Sequence, residues 1–471
     1  MLRQRAALAV CLATLIGACA GLPPKPSPPL LPSSAPLIEL PNAASSPWPQ
    51  REWWRAFDDS TLDTLIAQAL AQSPDLAAAS ARLAAARALT DGTAAGSRAQ
   101  VAANASATEN RLSDHGLFPP QLLGFNWYSQ FDAGVNASYS FDWWGRHRAE
   151  IAAAVDTQRA AGAEREAAAL TIASAVAASY YGWRTDMARR DLALLDSAAA
   201  EQRVQIVSAR VAAHIERSDA THSAELVALI ARDHFTEVTT AIQLQVVTLA
   251  ALLACAPDQL PVLSAGALPP LRAELPANAT LDLIARRPEI AASRWRVEGA
   301  ARNVDIARSS FLPDFTLKAV LALSSRELSQ LAEAGSAAPA LGVAMHLPLF
   351  DGGALRAGYA RSQANLDEAV ALYRAAIINA ARDLNAQLTM RERWEQQAQL
   401  RDEELVAATL QRAASQQRAN AGLSDQRPAL DATQQWLTLR AAQIQTQYAR
   451  LCVELALIRA LGGGYQMETD Q

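Results

Sequence analysis

Four segments of the chain alternate apolar and polar residues with a period of two. In 101–110, Val101, Ala103, Ala105 and Ala107 oppose Asn104, Ser106, Thr108 and Asn110. In 131–141, Phe131, Ala133, Val135, Ala137, Tyr139 and Phe141 oppose Asp132, Gly134, Asn136, Ser138 and Ser140. Later, Phe315, Leu317, Ala319, Leu321 and Leu323 oppose Thr316, Lys318 and Ser324, and Leu341, Val343, Met345, Leu347 and Leu349 oppose Gly342 and His346. A period of two predicts strands with one apolar and one polar face. Their lengths suit tilted membrane strands of about 9–11 residues, with Asp132, Asn136, Lys318 and His346 on a water-filled lumen. A half-buried strand of a soluble sheet has the same pattern. Four strands cannot close a barrel, and an open edge in lipid leaves backbone groups unpaired at several kcal/mol each. Other copies must complete it, and three copies supply twelve strands, an even number in the usual range.

Between the strand pairs the period changes to that of helices. Arg146 to about Ala212, and Ala354 to about Ala421, contain no proline and few glycines. At 1.5 Å per residue each helix would span on the order of 100 Å. Ile151, Val155, Leu170, Ala173, Ala177 and Tyr180 mark one apolar seam, and Leu366, Val370, Tyr373, Ile377, Leu384 and Leu388 mark the other. Each stretch ends in a break and a return helix. At the second break Gly422 can take the left-handed conformation, Ser424 or Asp425 can cap the next helix, and Pro428 falls in its first turn. The first break has His214 where the second has Gly422, and Ser218 or Asp219 as its cap.

The chain is internally duplicated. Ser73-Pro74-Asp75-Leu76 recurs as Arg287-Pro288-Glu289-Ile290, and Phe141-Asp142-Trp143-Trp144-Gly145-Arg146 recurs loosely as Phe350 to Arg356, about 210 residues apart. The organisation read from this is a signal peptide over 1–18, a lipid anchor and tether over 19–50, a first repeat over 51–265 and a second over 266–471. Arg3 and Arg5 precede an apolar run, Ala6 to Ile16, that ends in Gly17-Ala18-Cys19. That ending is similar to a bacterial lipobox, which implies cleavage before Cys19 and its acylation with fatty chains such as palmitate. Ala20 in place of aspartate favours the outer membrane. Leu22 to Pro36 is proline-rich and reads as an extended tether.

Composition removes other classes. Alanine is roughly a fifth of the chain, lysine occurs only at Lys25 and Lys318, and the net charge is −5. That charge gives no footprint for nucleic acid. No run of about 20 apolar residues predicts a transmembrane helix. The six histidines include no i,i+4 pair, and there is no phosphate loop, dinucleotide fingerprint or catalytic constellation. No enzyme activity, cofactor or metal is expected. Aligning the repeats sets Cys255 level with Leu461, too far from Cys452 for a disulfide. Trp143 and Trp144, where strand gives way to helix, suit either an interfacial girdle or junction packing.

Taken together, these features resemble the outer-membrane factor (TolC-like) family, in its NodT-type lipoprotein branch. The marks are Trp53-Trp54-Arg55-Ala56-Phe57, Ser73 to Leu76, Phe141 to Arg146, Arg286 to Ile290, Leu347 to Gly353, and Ala460 to Gly464. The resemblance implies a mainly α fold with transmembrane β. Four strands per protomer would complete a homotrimeric twelve-stranded barrel, continuous with a periplasmic helical barrel of two duplicated hairpins. It implies a passive exit duct that joins a periplasmic membrane-fusion adaptor and an inner-membrane efflux pump.

The resemblance also places the gate and the adaptor-docking surface at the hairpin tips, here Gly422, Leu423, Ser424, His214, Ile215 and Glu216. Asp431 matches an acidic gate position, Pro428 stands where a second acid is usual with Asp425 as a substitute, and Asp219 is nearest in the first copy. The tyrosine and arginine of some members' lock match Ala419 and Ser424, so a lock would be rebuilt around Arg418 or Arg427. A carboxylate repeated by threefold symmetry forms a ring that favours cations, although a capping aspartate near a helix start is also ordinary. Two alternatives remain: a duct for type I protein secretion, and a structural periplasmic coiled-coil lipoprotein, which does not explain four alternating strands.

Overall fold

The computed structural model describes residues 22–24, 48–115, 120–271 and 286–466; Cys19 and most of the tether lie outside them. Within these, β1 (Gln100–Arg111), β2 (Trp127–Ser140), β3 (Asp314–Ser325) and β4 (Ala337–His346) form one antiparallel sheet in the order β1-β2-β3-β4. The pairing of β2 with β3 joins the two halves of the chain. The register sets Ser106 opposite Asp132 and Asp132 opposite Ser324, Ser138 opposite Lys318, and Lys318 opposite Gly342. Directly opposed residues share a face, so even-numbered positions of all four strands lie on one side and odd-numbered ones on the other. Asp132, Asn136, Lys318 and His346 therefore share the polar face. β4 differs from the sequence expectation: it begins at Ala337 and ends at His346. The stretch Ala337 to Ala340 has no polar position to reveal a period, and Pro348, which has no N–H to give a ladder, follows the end.

Seven helices accompany the sheet among the described residues, apart from short single turns: α1 (Ser60–Gln72), α2 (Pro74–Gly96), α3 (Arg146–Ala212), α4 (Asp219–Leu252), α5 (Pro288–Ser309), α6 (Ala354–Asn420) and α7 (Arg427–Ala460). α3 and α6 each have 67 residues, α4 and α7 each have 34. The equal lengths set Arg146 level with Ala354, His214 with Gly422, and Ala254 with Gly462. This alignment moves Cys255 level with Gly463, two residues beyond the expected Leu461. Cys255 and Cys452 are both free and half-buried.

The chain divides into two compact units, each drawn from both halves. One contains Leu83–Ala160 and Ser293–Leu372, and with them the sheet. Asp142 caps α3, accepting from the N–H groups of His147 at 2.9 Å and Arg148 at 3.1 Å. Burial raises the Asp142 pKa, but these donors outweigh it and hold the carboxyl below its ordinary range. Trp143 packs at 4.5 Å from Phe315 and 5.9 Å from Phe141 while remaining exposed, and Trp144 donates Nε1–H to the Pro313 carbonyl at 2.8 Å. The Trp143 ring thus packs the junction and presents an aromatic surface at once. In the same unit Arg308 donates to the Pro23 carbonyl at 2.9 Å and the Tyr359 hydroxyl to that of Pro24 at 2.8 Å.

The other unit contains Leu31–Arg82, Ala161–Ala292 and Tyr373–Gln471. Its core joins Trp53 and Phe57, Leu62, Leu65 and Ile66 of α1, Tyr180 and Tyr181 of α3, Leu249 of α4, and Leu451 and Leu455 of α7. Asp59 caps α1 through the N–H groups of Thr61 and Leu62 and pairs with Arg184 at 2.6 Å. The Trp53-to-Phe57 motif is therefore a core element, a 3-10 turn with both end rings buried.

Candidate functional site at the hairpin turns

α3 with α4, and α6 with α7, form two helical hairpins. In the first, Ala200 of α3 packs on Ala228 and Ala231 of α4, and small side chains let the backbones approach closely. α4 is long and apolar enough to cross a membrane by composition, yet its Arg232 pairs with Glu201 of α3 at 2.8 Å. In the second, Trp436 donates Nε1–H to Thr409 at 2.9 Å, and the Arg412 guanidinium lies 4.1 Å from the Trp436 ring.

Both turns use the same backbone device. His214 has φ 56 and Gly422 has φ 68. The Ile215 N–H reaches the Arg210 carbonyl at 2.9 Å, and the Leu423 N–H reaches that of Arg418 at 2.9 Å. Each is a Schellman-type cap with a left-handed residue, which glycine adopts freely and histidine adopts at a cost of about 1 kcal/mol. His214→Gly is expected to stabilise the first turn by about that amount, read as slower amide exchange around Ile215, with Gly422→His moving the second turn the other way. The caps also leave Ile215 and Leu423 in equivalent, exposed positions, at 64% and 78%.

Four charged side chains tie the two turns together. Arg210 contacts Glu216 at 3.0 Å and Asp425 at 3.3 Å, and Arg427 contacts Glu216 at 2.5 Å and Asp425 at 2.8 Å. Each arginine thus bridges both carboxylates, and each carboxylate bridges both arginines. Arg210 and Glu216 come from the first hairpin, Asp425 and Arg427 from the second. Burial pushes the Asp425 pKa up, but the Arg427 N–H, the Arg427 guanidinium and Arg210 together outweigh it and set it below its ordinary value. The Arg427 pKa rises in turn: burial opposes this, and Asp425 and Glu216 prevail.

The remaining candidates are distributed differently. Asp431 pairs with Arg203 of α3, a second link between the hairpins. Asp219 pairs with its neighbour Arg217 at 3.2 Å and is exposed, outside the quartet. Arg418 lies outside the quartet, with its Nε bonded to the Ala414 carbonyl at 3.3 Å within its own helix. Arg210, which the sequence did not single out, joins the quartet. Ser218 stands before α4 without a side-chain capping bond, and Gln426, not Ser424 or Asp425, is the residue preceding α7. Asp425 does reach forward to accept the Arg427 N–H at 3.2 Å. Arg210 carries no local sign of its partner because a last-turn arginine satisfies the helix dipole on its own, and Arg203, further back in α3, reads as an ordinary charge on a solvated face. Nothing local marks a partner two hundred or so residues away. No cluster of metal-ligating residues is present among the described residues.

The arrangement is an ion-paired junction between two hairpin turns. A family model for outer membrane efflux proteins matches residues 65–254 and 281–463. The multidrug resistance outer membrane protein MdtP of Escherichia coli (strain K12) is 31% identical over 478 residues, covering 98% of each chain. The outer membrane protein VceC of Vibrio cholerae superposes with a TM-score of 0.80 at 30% identity, over 89% of this chain and 100% of that one. The CmeC outer membrane channel of Campylobacter jejuni has a TM-score of 0.84 at 20% identity, over 93% and 96%, a likeness of fold alone. With nearly its whole length matched in sequence and in structure, the chain belongs to the outer membrane efflux protein family.

Proposed function

We propose that the protein is the passive outer-membrane exit duct of a tripartite efflux system, with three copies forming one duct. The observation that carries this is the four-stranded sheet with one polar and one apolar face and two open edges: among the described residues β1 and β4 have no strand on their outer sides. Such a sheet is stable in lipid only when other copies close it. Exposed apolar residues on α4 (Leu226, Leu229, Ile230) and on α6 (Leu400, Val406, Leu410) support helix contacts between copies as well. Members of the family are trimeric outer-membrane channels and are ducts rather than enzymes. Drug-resistance names among the relatives favour small toxic compounds over secreted proteins as cargo.

In this reading Asp132, Asn136, Lys318 and His346 line the lumen, and Cys19 carries the acyl chains. The quartet with Asp431 and Arg203 holds the periplasmic end closed. A periplasmic adaptor docks over Ile215, Glu216, Leu423 and Ser424, and an inner-membrane pump supplies the energy. Planar-bilayer recording of the detergent-extracted protein tests the duct: small, flickering currents are expected from wild type. Asp431→Ala should open it only modestly, because its pair with Arg203 is half exposed. Folded, inserted protein without current would return the structural-lipoprotein reading. Loss of growth on toxic compounds with protein secretion intact separates efflux from secretion.

The direction of the Asp425 shift sets a pH window. A carboxyl with a lowered folded pKa stabilises the joined tips above its ordinary value of about 3.8, and that contribution disappears as pH falls through the lower folded value. Open probability is therefore expected to rise when the periplasmic side is acidified below about pH 4, and Asp425→Asn should remove this part of the pH response.

A further inference from the structure

We propose that the outer end of the sheet's polar face carries a binding pocket for amphipathic aromatic anions, placed where cargo leaves the lumen. Its place on the exit path rests on the duct reading above; the pocket itself rests on local geometry. The connection from β1 to β2 includes a one-turn helix, Pro120–Leu123. It rejoins the ladder where the Leu112 N–H bonds the Asn126 carbonyl at 2.8 Å. Leu123 and Phe125 of this connection form a cavity of about 460 Å³ together with Tyr128, Gln130, Ser324 and Arg326. Tyr128, Gln130 and Ser324 are even-numbered strand residues, so the cavity opens on the same face as Asp132 and Lys318, not on the face of Trp127.

The lining selects a ligand class. The Phe125 and Tyr128 rings meet edge to face at 6.3 Å, and the Arg326 guanidinium lies 4.2 Å from the Phe125 centroid. A planar apolar group has two aromatic edges and leucine side chains to cover it. Arg326 has no carboxylate partner among the described residues, and its guanidinium can receive a carboxylate or sulfonate while stacked on Phe125. Next to the lining, two residues along β2 from Gln130, Asp132 is held by Gln130 Nε2 at 3.1 Å and the Ser324 hydroxyl at 2.7 Å. Arg326 thus lines the cavity while the carboxylate of Asp132 lies outside its lining on the same face, and this separation of charge turns the acid of an amphipathic anion towards Arg326. The volume lies within the range of small-molecule sites.

The test is calorimetric titration of the detergent-solubilised full chain with 1-naphthalenesulfonate. Saturable binding is expected, weakened about tenfold or more by Phe125→Ala and by Arg326→Ala, the loss of one stacked or charge-assisted contact. Trp127→Ala, on the opposite face, should leave it unchanged, and 1-naphthylmethylammonium should bind more weakly than the sulfonate. Absence of saturable binding, or equal binding by both pocket variants with circular dichroism unchanged, overturns the pocket. Bilayer current from the same preparations judges the duct separately: current without binding removes only the pocket, and binding without current removes only its role on an exit path.

Discussion

Removal of both arginines of the quartet, Arg210→Ala with Arg427→Ala, is expected to raise the ratio of open to closed channels by roughly thirtyfold to a hundredfold, whereas either substitution alone should raise it only about threefold. The difference comes from connectivity. With one arginine gone, the other still touches both Glu216 and Asp425, so the two hairpins remain joined and no carboxylate is stranded. With both gone, two carboxylates face each other across the junction, and attraction is replaced by repulsion. The four side chains are between 23% and 32% exposed, which leaves some screening by solvent. In that setting removal of one arginine costs about 0.6 kcal/mol, a threefold change, because the other still bridges both carboxylates, whereas removal of both also leaves the carboxylates in mutual repulsion and costs about 2–3 kcal/mol. Single-channel recording of the wild type, the two single variants and the double variant measures the coupling, and a rise in salt should narrow the gap between them. Additive effects, or a double variant that gates like wild type, would remove the quartet from the gate.

The charge ring expected from threefold repetition of one aspartate changes character here. Asp431 and Asp425 both face arginines of the other hairpin within the same chain. The negative charge at the tips is largely neutralised before any symmetry is applied. Cation preference at this end would then appear only after the arginines are removed, and it can be read from reversal potentials in the same recordings.

Much of this architecture is legible in the sequence because it is written in periods. The alternation at Phe131 to Phe141 and Phe315 to Leu323 fixes two strands, and which face is polar, since a shift of one residue would invert every side chain. The long helices follow from the absence of breakers, and their ends from Gly422 and Pro428. What local pattern lacks, the reading lost. β4 begins in an alanine-rich run with no polar phase, so the alternation extends the expected strand to Leu347 and Leu349, whereas it stops at His346. His214 adopts a left-handed turn against its own preference, and only its equivalence to Gly422 reveals it. The quartet is the clearest case. Glu216, Asp425 and Arg427 could be placed near the tips from spacing, but their pairing with Arg210 depends on how two hairpins from distant parts of the chain meet.

Gly462→Ala is expected to be the most damaging methyl addition among the described glycines, costing about 3 kcal/mol or more and sharply reducing the yield of folded protein. Two causes act together. Gly462 ends α7 with φ 89, in the region that side chains rarely adopt, and a Cβ there would overlap the Arg286 carbonyl oxygen and its carbon. Neither backbone can step aside cheaply. The Gly462 N–H is tied to the Arg459 carbonyl at 2.9 Å, closing the helix end. On the other side, the Arg286 guanidinium lies 4.6 Å from the Trp48 ring, and the next residue, Arg287, is buried with ion pairs to Glu289 and Asp383. Gly464 is similarly confined, with the Gln50 and Arg51 backbone where its Cβ would lie. The run Gly462-Gly463-Gly464 is thus the place where the end of the second hairpin, the start of the second half and the start of the folded body come within backbone contact. Ala254, the equivalent of Gly462 in the first hairpin, shows that the left-handed turn alone is tolerable with a side chain, since it has φ 52. The close approach is therefore what forbids alanine at Gly462. Gly358→Ala, near the start of α6 with open space where its Cβ would lie, is the control and should be neutral or stabilising by up to about 1 kcal/mol. Thermal unfolding and yield of the two variants, compared side by side, separate a general intolerance of alanine from the specific contact with Arg286; an unaffected Gly462→Ala would mean that the α7 end does not lie against that carbonyl.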